Sequence, residues 1–150
     1  MPRNEEQLRG GNATDAVMRV GNTVRKPWQE NTPAVHRFME HLRDQGLSEA
    51  PQTYGKDPQG RHVVEFVAGT PAPHDRSLLA DLLSTVGRSI RSIHDCAAGF
   101  TPAPGEPCSS LVPVADAEMI CHNDLAPWSL VLGDEPVFID CDGAGPSTRL

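Results

Sequence analysis

Four residues late in the chain carry side chains suited to metal or phosphate chemistry: Asp124, Ser129, Asp140 and Asp142, with His122 just upstream. The residues between them say how they would meet. Leu130–Leu132 and Val137–Ile139 are short apolar runs, and Gly133-Asp134-Glu135-Pro136 between them is turn-forming. Two such runs around such a turn predict a β-hairpin. A hairpin returns the chain to its start, so Asp124 and Ser129 come to lie beside Asp140 and Asp142. Carboxylates gathered at one end repel one another unless a cation sits among them. Mg²⁺ is the usual answer, because it takes oxygen ligands and completes its shell with water and substrate phosphates. The plain alternative is a solvated loop whose aspartates stabilise turns.

His122-Asn123-Asp124, with Leu125, Pro127 and the polar Ser129, resembles the H-x-D-x-x-x-x-N catalytic loop of the aminoglycoside phosphotransferase family. Ile139-Asp140 followed by Cys141-Asp142 resembles that family's metal-binding strand end. These relatives are protein-kinase-like small-molecule kinases. The resemblance implies an α+β, protein-kinase-like two-lobe fold, with a small β-rich N-lobe and a helical C-lobe carrying the catalytic hairpin. Residues 1–67 would be the N-lobe, 68–74 the hinge or linker and 75–150 a partial C-lobe. The C-lobe is incomplete by this reading, since the family continues with further helices that build most of the acceptor pocket. An exposed apolar surface, and self-association through it, is the expected consequence.

The implied activity is ATP-dependent phosphoryl transfer to a hydroxyl of a small molecule, aminoglycoside-like or related. ATP and Mg²⁺ are the implied cofactors. Asp124 would be the catalytic residue and Asp140 a metal ligand. Ser129 would be a second metal ligand, standing where the family has Asn and reaching less far. The alternative is a non-catalytic nucleotide-binding relic, or a fragment of a decayed phosphotransferase gene. Asp142 reads as a turn residue, and His122 as a structural residue holding the loop.

The elements that must position these groups begin with a β-meander. Val17–Val20 reads as a strand, Gly21-Asn22 as a tight turn and Thr23–Lys26 as the returning strand. By resemblance, Gly10 and Gly11 belong to the loop that covers the ATP phosphates, and the returning strand carries the cation that contacts them. Period-two alternation puts Arg25 and Lys26 on opposite faces. Arg25 is preferred for the cleft, because Thr23 beside it is polar while Val24 suits the core; Lys26 is the alternative. Thr32-Pro33 then caps and opens a helix that Gly46 ends. His36 falls where kinase-like folds carry the glutamate that pairs with the strand cation. His62–Val67 is a strong strand, and by resemblance Glu65–Val67 is the hinge that would hydrogen-bond adenine. Pro51–Gly55 reads as a connection.

Ala68–Pro73 breaks regular structure. Beyond it, Asp75 to about Cys96 has an apolar stripe at helical spacing. Gly99–Val114 has no period and reads as a loop. The totals exclude several classes. A formal net charge of −7 argues electrostatically against a general nucleic-acid binder and suits a cationic small-molecule acceptor. No apolar run approaches the roughly 20 residues of a membrane span, and the first residues have no apolar signal-peptide core, so the cytoplasm is expected. The four cysteines form no C-x-x-C pair, which argues against a zinc site.

Overall fold

The computed structural model of the chain describes residues 4–8, 16–47, 49–73 and 75–149. It is α+β. Five strands, β1 (Glu5–Gln7), β2 (Met18–Val20), β3 (Thr23–Pro27), β4 (Thr53–Lys56) and β5 (Arg61–Glu65), form an antiparallel sheet in the order β1-β2-β3-β5-β4. The β2–β3 hairpin closes through Gly21, whose φ of +61° suits glycine. Its register sets Met18 opposite Arg25 and Val20 opposite Thr23. Two strands lie outside the expected meander. β1 is a short polar run without apolar alternation, and β4 falls in the stretch read as a connection.

Helix α1 (Thr32–Asp44) follows β3 and buries Val35, Phe38, Met39 and Leu42. Its start differs from expectation. Thr32 is already helical, Asn31 is the N-cap, and the Thr32 hydroxyl accepts a hydrogen bond from the Gln29 N–H at 2.8 Å. Its end behaves as Gly46 requires. Leu47 N–H donates to Leu42 O at 3.0 Å and Gly46 N–H to Arg43 O at 2.9 Å, with Gly46 at φ +98°. That pair of bonds satisfies the last carbonyls through a left-handed residue.

After β5 the linker adds a two-residue strand, β6 (Thr70–Pro71), to the predicted hairpin. The hairpin is formed by β8 (Leu130–Leu132) and β9 (Val137–Phe138), with Leu130 opposite Phe138 and Val131 opposite Val137. β6 pairs with β8, Thr70 opposite Leu132. Helix α2 (Ala80–Ala97) starts five residues later than its apolar stripe suggested. Leu78 and Leu79 precede it, and Leu79 and Leu83 are exposed, so the stripe reflects hydrophobicity that this half of the helix does not bury. β7 (Met119–Cys121) and β10 (Gly145–Ser147) form a further antiparallel pair on either side of the hairpin. They bring the chain before His122 against the chain after Asp142.

One hydrophobic core joins these parts. Val35, Phe38, Met39 and Leu42 of α1 pack with Ile93 and Ala97 of α2, and with Ile120, Leu130, Phe138 and Ala144 from β7, the hairpin and its exit. The α1 face that supports the five-stranded sheet therefore also reaches the segment that carries the acidic residues.

Candidate functional site

His122 is the fixed point of the loop. It is 2 % exposed. Its Nδ1 accepts the Asp124 backbone N–H at 3.1 Å, which leaves Nε2 protonated to donate to Ile139 O at 2.7 Å. The ring thus ties the start of the loop to the end of β9. Burial holds His122 below the usual histidine range, which keeps it neutral and suits one donor and one acceptor. Its structural role agrees with the expectation.

Asn123 and Asp140 flank this bridge in left-handed backbone, φ +66° and +61°. Asn and Asp tolerate that region better than other non-glycine residues. The Asn123 amide donates to Gly143 O and Gly145 O, each at 3.2 Å, and to Ser110 Oγ at 3.1 Å. The turn after β9 is therefore stitched to the loop before β8.

Asp124 projects from this frame, held at both oxygens. Oδ1 accepts the Trp128 indole N–H at 2.8 Å, and Oδ2 accepts the Ser129 hydroxyl at 2.9 Å. Ser129 is fully buried, whereas Trp128 is largely exposed. Ser129, read as a metal ligand, thus spends its hydroxyl proton on Asp124 in this structure.

Asp140 and Asp142 face a cation supplied by the opposite side of the chain. The Lys26 ammonium of β3 donates to Asp140 Oδ1 and, at 2.7 Å, to Asp142 Oδ2. Burial pulls Lys26 toward neutrality, but Asp142 and Asp140 outweigh it and hold its pKa above the ordinary lysine value. Arg25 points the other way, with Nε 3.3 Å from Asp57 Oδ2. Of the two candidates for the cleft, Lys26 faces the acidic pair and Arg25 faces Asp57 on the other side of the sheet, as period-two alternation requires. Thr23 Oγ1 serves as an acceptor for Arg25.

The helix position that lacks a glutamate is filled differently. His36 Nε2 lies 3.1 Å from His62 Nδ1, and His62 Nε2 lies 3.6 Å from Asp142 Oδ1. Burial brings His62 down to about 4 and lowers His36 as well, so both are neutral at neutral pH. Glu40, one turn along, accepts from Thr53 Oγ1 of β4 at 3.0 Å. Asn31, whose side chain does not cap α1, donates its amide to Asp142 O at 3.1 Å. Asn31, His62 and Asp142 were not foreseen as partners. The polar residue just before a helix and a histidine on an inward strand position were the available signals.

The remaining assigned positions stand apart from this cluster. The Glu65 N–H donates to Gln52 O at 2.8 Å and its carboxylate accepts the Gln52 N–H at 3.0 Å; the Phe66 N–H donates to Asn22 O at 2.8 Å. Of the expected hinge, Val67 is the residue beyond these bonds, and it is half-buried. Gly10 and Gly11 lie outside the described residues. A cavity of about 380 Å³ opens behind the site, between Leu42, Ala50, Ser89, Ile93 and Phe138, and reaches the backs of His122 and Cys141. A second, of about 760 Å³, lies on the sheet beside Asn22, Arg25, Tyr54 and Asp57. Burial drives the Cys141 thiol up to about 12, so it is an inert neighbour of Asp140.

As a cation site the cluster has hard oxygen donors from Asp140 and Asp142, both about two-fifths exposed. Among the described residues no three His, Cys, Asp or Glu side chains converge as a metal cage. A metal here would have to complete its shell with water and phosphate, which is the habit of Mg²⁺. The Lys26 ammonium supplies the positive charge between the two carboxylates.

Comparisons with protein-family models, with curated proteins and with solved structures find no match to this chain. Among the described residues no helix is long and apolar enough to cross a membrane.

Proposed function

We propose that this chain is built as an ATP-dependent phosphotransferase of the protein-kinase-like, two-lobe type, acting on a hydroxyl of a small molecule. The observation that carries the reading is the meeting of Lys26 with Asp140, 114 residues apart, together with an Asp124 fixed by two donors on the loop that His122 ties to the end of β9. A phosphoryl-transfer site needs those three parts: a cation for phosphate charge, a carboxylate for a metal, and a second carboxylate for the attacking hydroxyl. The α+β order of a sheet with one helix, a linker and then the hairpin supports the reading.

In this reading the acceptor oxygen attacks the terminal phosphorus of ATP. The bond from that phosphorus to the bridging oxygen breaks, ADP leaves with the electron pair, and Asp124 takes the acceptor's proton. The Trp128 and Ser129 donors keep Asp124 in one rotamer for this. Lys26 sits where it can balance phosphate charge, and Val67 is the main-chain candidate for adenine. Asp140 would hold Mg²⁺, which supplies charge neutralisation when bound. Catalysis would come from positioning and electrostatics.

A non-catalytic nucleotide-binding relic is the second reading, and Ser129 favours it. Its hydroxyl proton goes to Asp124, and its side chain is shorter than the Asn the family carries there. A thermal melt with and without Mg-ATP, repeated on Asp140→Ala, tests the proposal. Ligand at about 100 times its Kd adds about 2.7 kcal/mol, worth several degrees for a domain of this size. A magnesium-dependent shift lost in Asp140→Ala supports the site; turnover that also disappears in Asp124→Ala supports the transferase over the relic. A cooperative melt with no shift in the unaltered chain sinks both.

A further inference from the structure

We propose that Asp142 is the residue that positions Lys26, with Asn31 holding its backbone oxygen and His62 packed beside its carboxylate. The inference rests on the phosphotransferase reading and deepens it. Lys26 faces two carboxylates, and if a metal is to occupy Asp140, that carboxylate is drawn away from the lysine. Lys26 then needs another anion, or its buried ammonium is left unpaired at high cost. The helix offers none, because His36 stands at the expected position. Asp142 is the anion that remains.

Asp142 is built for this more than a turn residue would be. Oδ2 takes the Lys26 ammonium at 2.7 Å. Oδ1 is flanked by His62 Nε2 at 3.6 Å. Its backbone oxygen takes the Asn31 amide at 3.1 Å. The three partners come from β3, from β5 and from the residue that opens α1, so the sheet and helix together fix one carboxylate. His62 is 3 % exposed and its far nitrogen is within hydrogen-bond distance of His36. The histidine pair, neutral, gives Asp142 a polar but uncharged backing. A cation there would compete with Lys26 for the same oxygens. The chain thus divides its acidic pair: Asp140 for a metal and Asp142 for the lysine.

The test reads Lys26 directly. The chain is labelled with a small amine-reactive reagent, and modification at Lys26 is mapped by mass spectrometry, in Asp142→Asn, Asp142→Glu and His62→Gln. Circular dichroism checks that each variant is folded. Removing the Asp142 charge takes away one of the two carboxylates that hold the ammonium and should raise labelling at Lys26 several-fold. Asp142→Glu, which keeps the charge, should restore much of the protection, and His62→Gln should fall between. Unchanged labelling in folded Asp142→Asn would overturn the tether. Should Asp142→Asn fail to fold, His62→Gln decides: labelling equal to the unaltered chain overturns the proposal.

A second readout separates the tether from the transferase reading. Where the unaltered chain turns over Mg-ATP, Asp142→Asn should raise the KM for ATP more than it lowers kcat, since the Lys26–phosphate contact is weakened while Asp124 is untouched. A fall in kcat alone would count against the tether's part in nucleotide binding. Labelling that rises in a chain with no Mg-ATP response would keep the tether as a structural ion pair and overturn its catalytic purpose.

Discussion

Ser129 donates its hydroxyl to Asp124 Oδ2 at 2.9 Å from a position with no solvent exposure, while Trp128, the residue before it, donates to Oδ1 from a largely exposed one. Asp124 is therefore clamped from inside and outside by adjacent residues. The two donors should have separable effects. Ser129→Ala removes a buried hydrogen bond to a carboxylate, worth about 1.5–3 kcal/mol, and should lower both the melting temperature and turnover. Trp128→Phe keeps an aromatic ring at the surface and should change stability by less than about 0.5 kcal/mol. If the clamp matters for chemistry, it should still cut kcat by about ten-fold, which is about 1.4 kcal/mol of barrier. Melts and steady-state rates on both variants decide the point. Equal rates in Trp128→Phe and the unaltered chain would show that the outer donor is dispensable.

Lys26 and a divalent cation would compete for Asp140. In Lys26→Met, Asp140 and Asp142 lose their shared counter-ion and repel each other. Both carboxylates are about two-fifths exposed, so solvent tempers the loss to about 1–2 kcal/mol. The metal-free melting temperature should fall. Millimolar Mg²⁺ should recover more of it in Lys26→Met than it adds to the unaltered chain. Calorimetric titration with Mg²⁺ gives the second check: affinity that does not rise in Lys26→Met rules out the competition.

The buried histidines set an acid limit on stability. His36, His62 and His122 all have folded pKa values below the unfolded value of 6.5, His62 the furthest, at about 4. The unfolded chain then binds more protons than the folded one between those values, so stability rises with pH across that window. It should be fully present above pH 6.5 and be lost progressively toward pH 4. For His62 alone the loss is on the order of 3 kcal/mol. His62→Gln should flatten the fall in melting temperature between pH 7 and 4.5. An equally steep fall in that variant would assign the acid sensitivity elsewhere.

The hairpin, the β2–β3 meander and α1 were legible because each carries a local signal. Leu130–Leu132 and Val137–Phe138 flank a turn sequence, Gly21-Asn22 closes a tight turn, and Gly46 ends a helix in the only backbone region that suits it. The approach of the loop before β8 to the turn after β9 followed from the hairpin, and His122 bridges the two. What stayed hidden depends on distant partners. β1 is polar and gains its ladder from β2, and β4 is visible only as a neighbour of β5. Whether Arg25 or Lys26 faces the acidic pair turns on which side of the sheet α1 covers, and alternation alone does not carry that. Ser129 reads as a ligand by position, and its hydrogen bond to Asp124 depends on packing that the sequence does not carry. The His36–His62–Asp142 line joins three segments, so no spacing could announce it.

The linker crosses the hairpin so closely that one residue has no room for a side chain. Gly69 has φ +147°, and a Cβ there would lie 2.5 Å from Leu132 O and 2.7 Å from Val131 Cγ1. The first of these is strand backbone, held by the pairing of β6 with β8. It cannot step aside without breaking the Thr70–Leu132 and Pro71–Val131 register. Gly69→Ala should therefore combine a backbone conformation that alanine resists with a clash that shifts the linker off β8. The expected loss is about 2–4 kcal/mol, from steric overlap and strain together. It should appear as a drop of several degrees in melting temperature. Hydrogen exchange should locate the damage, with the amide of Ala72, which donates to Leu130 O at 2.9 Å, losing protection first. Unchanged protection at Ala72 in a folded Gly69→Ala chain would mean that the linker and the hairpin are not mechanically joined.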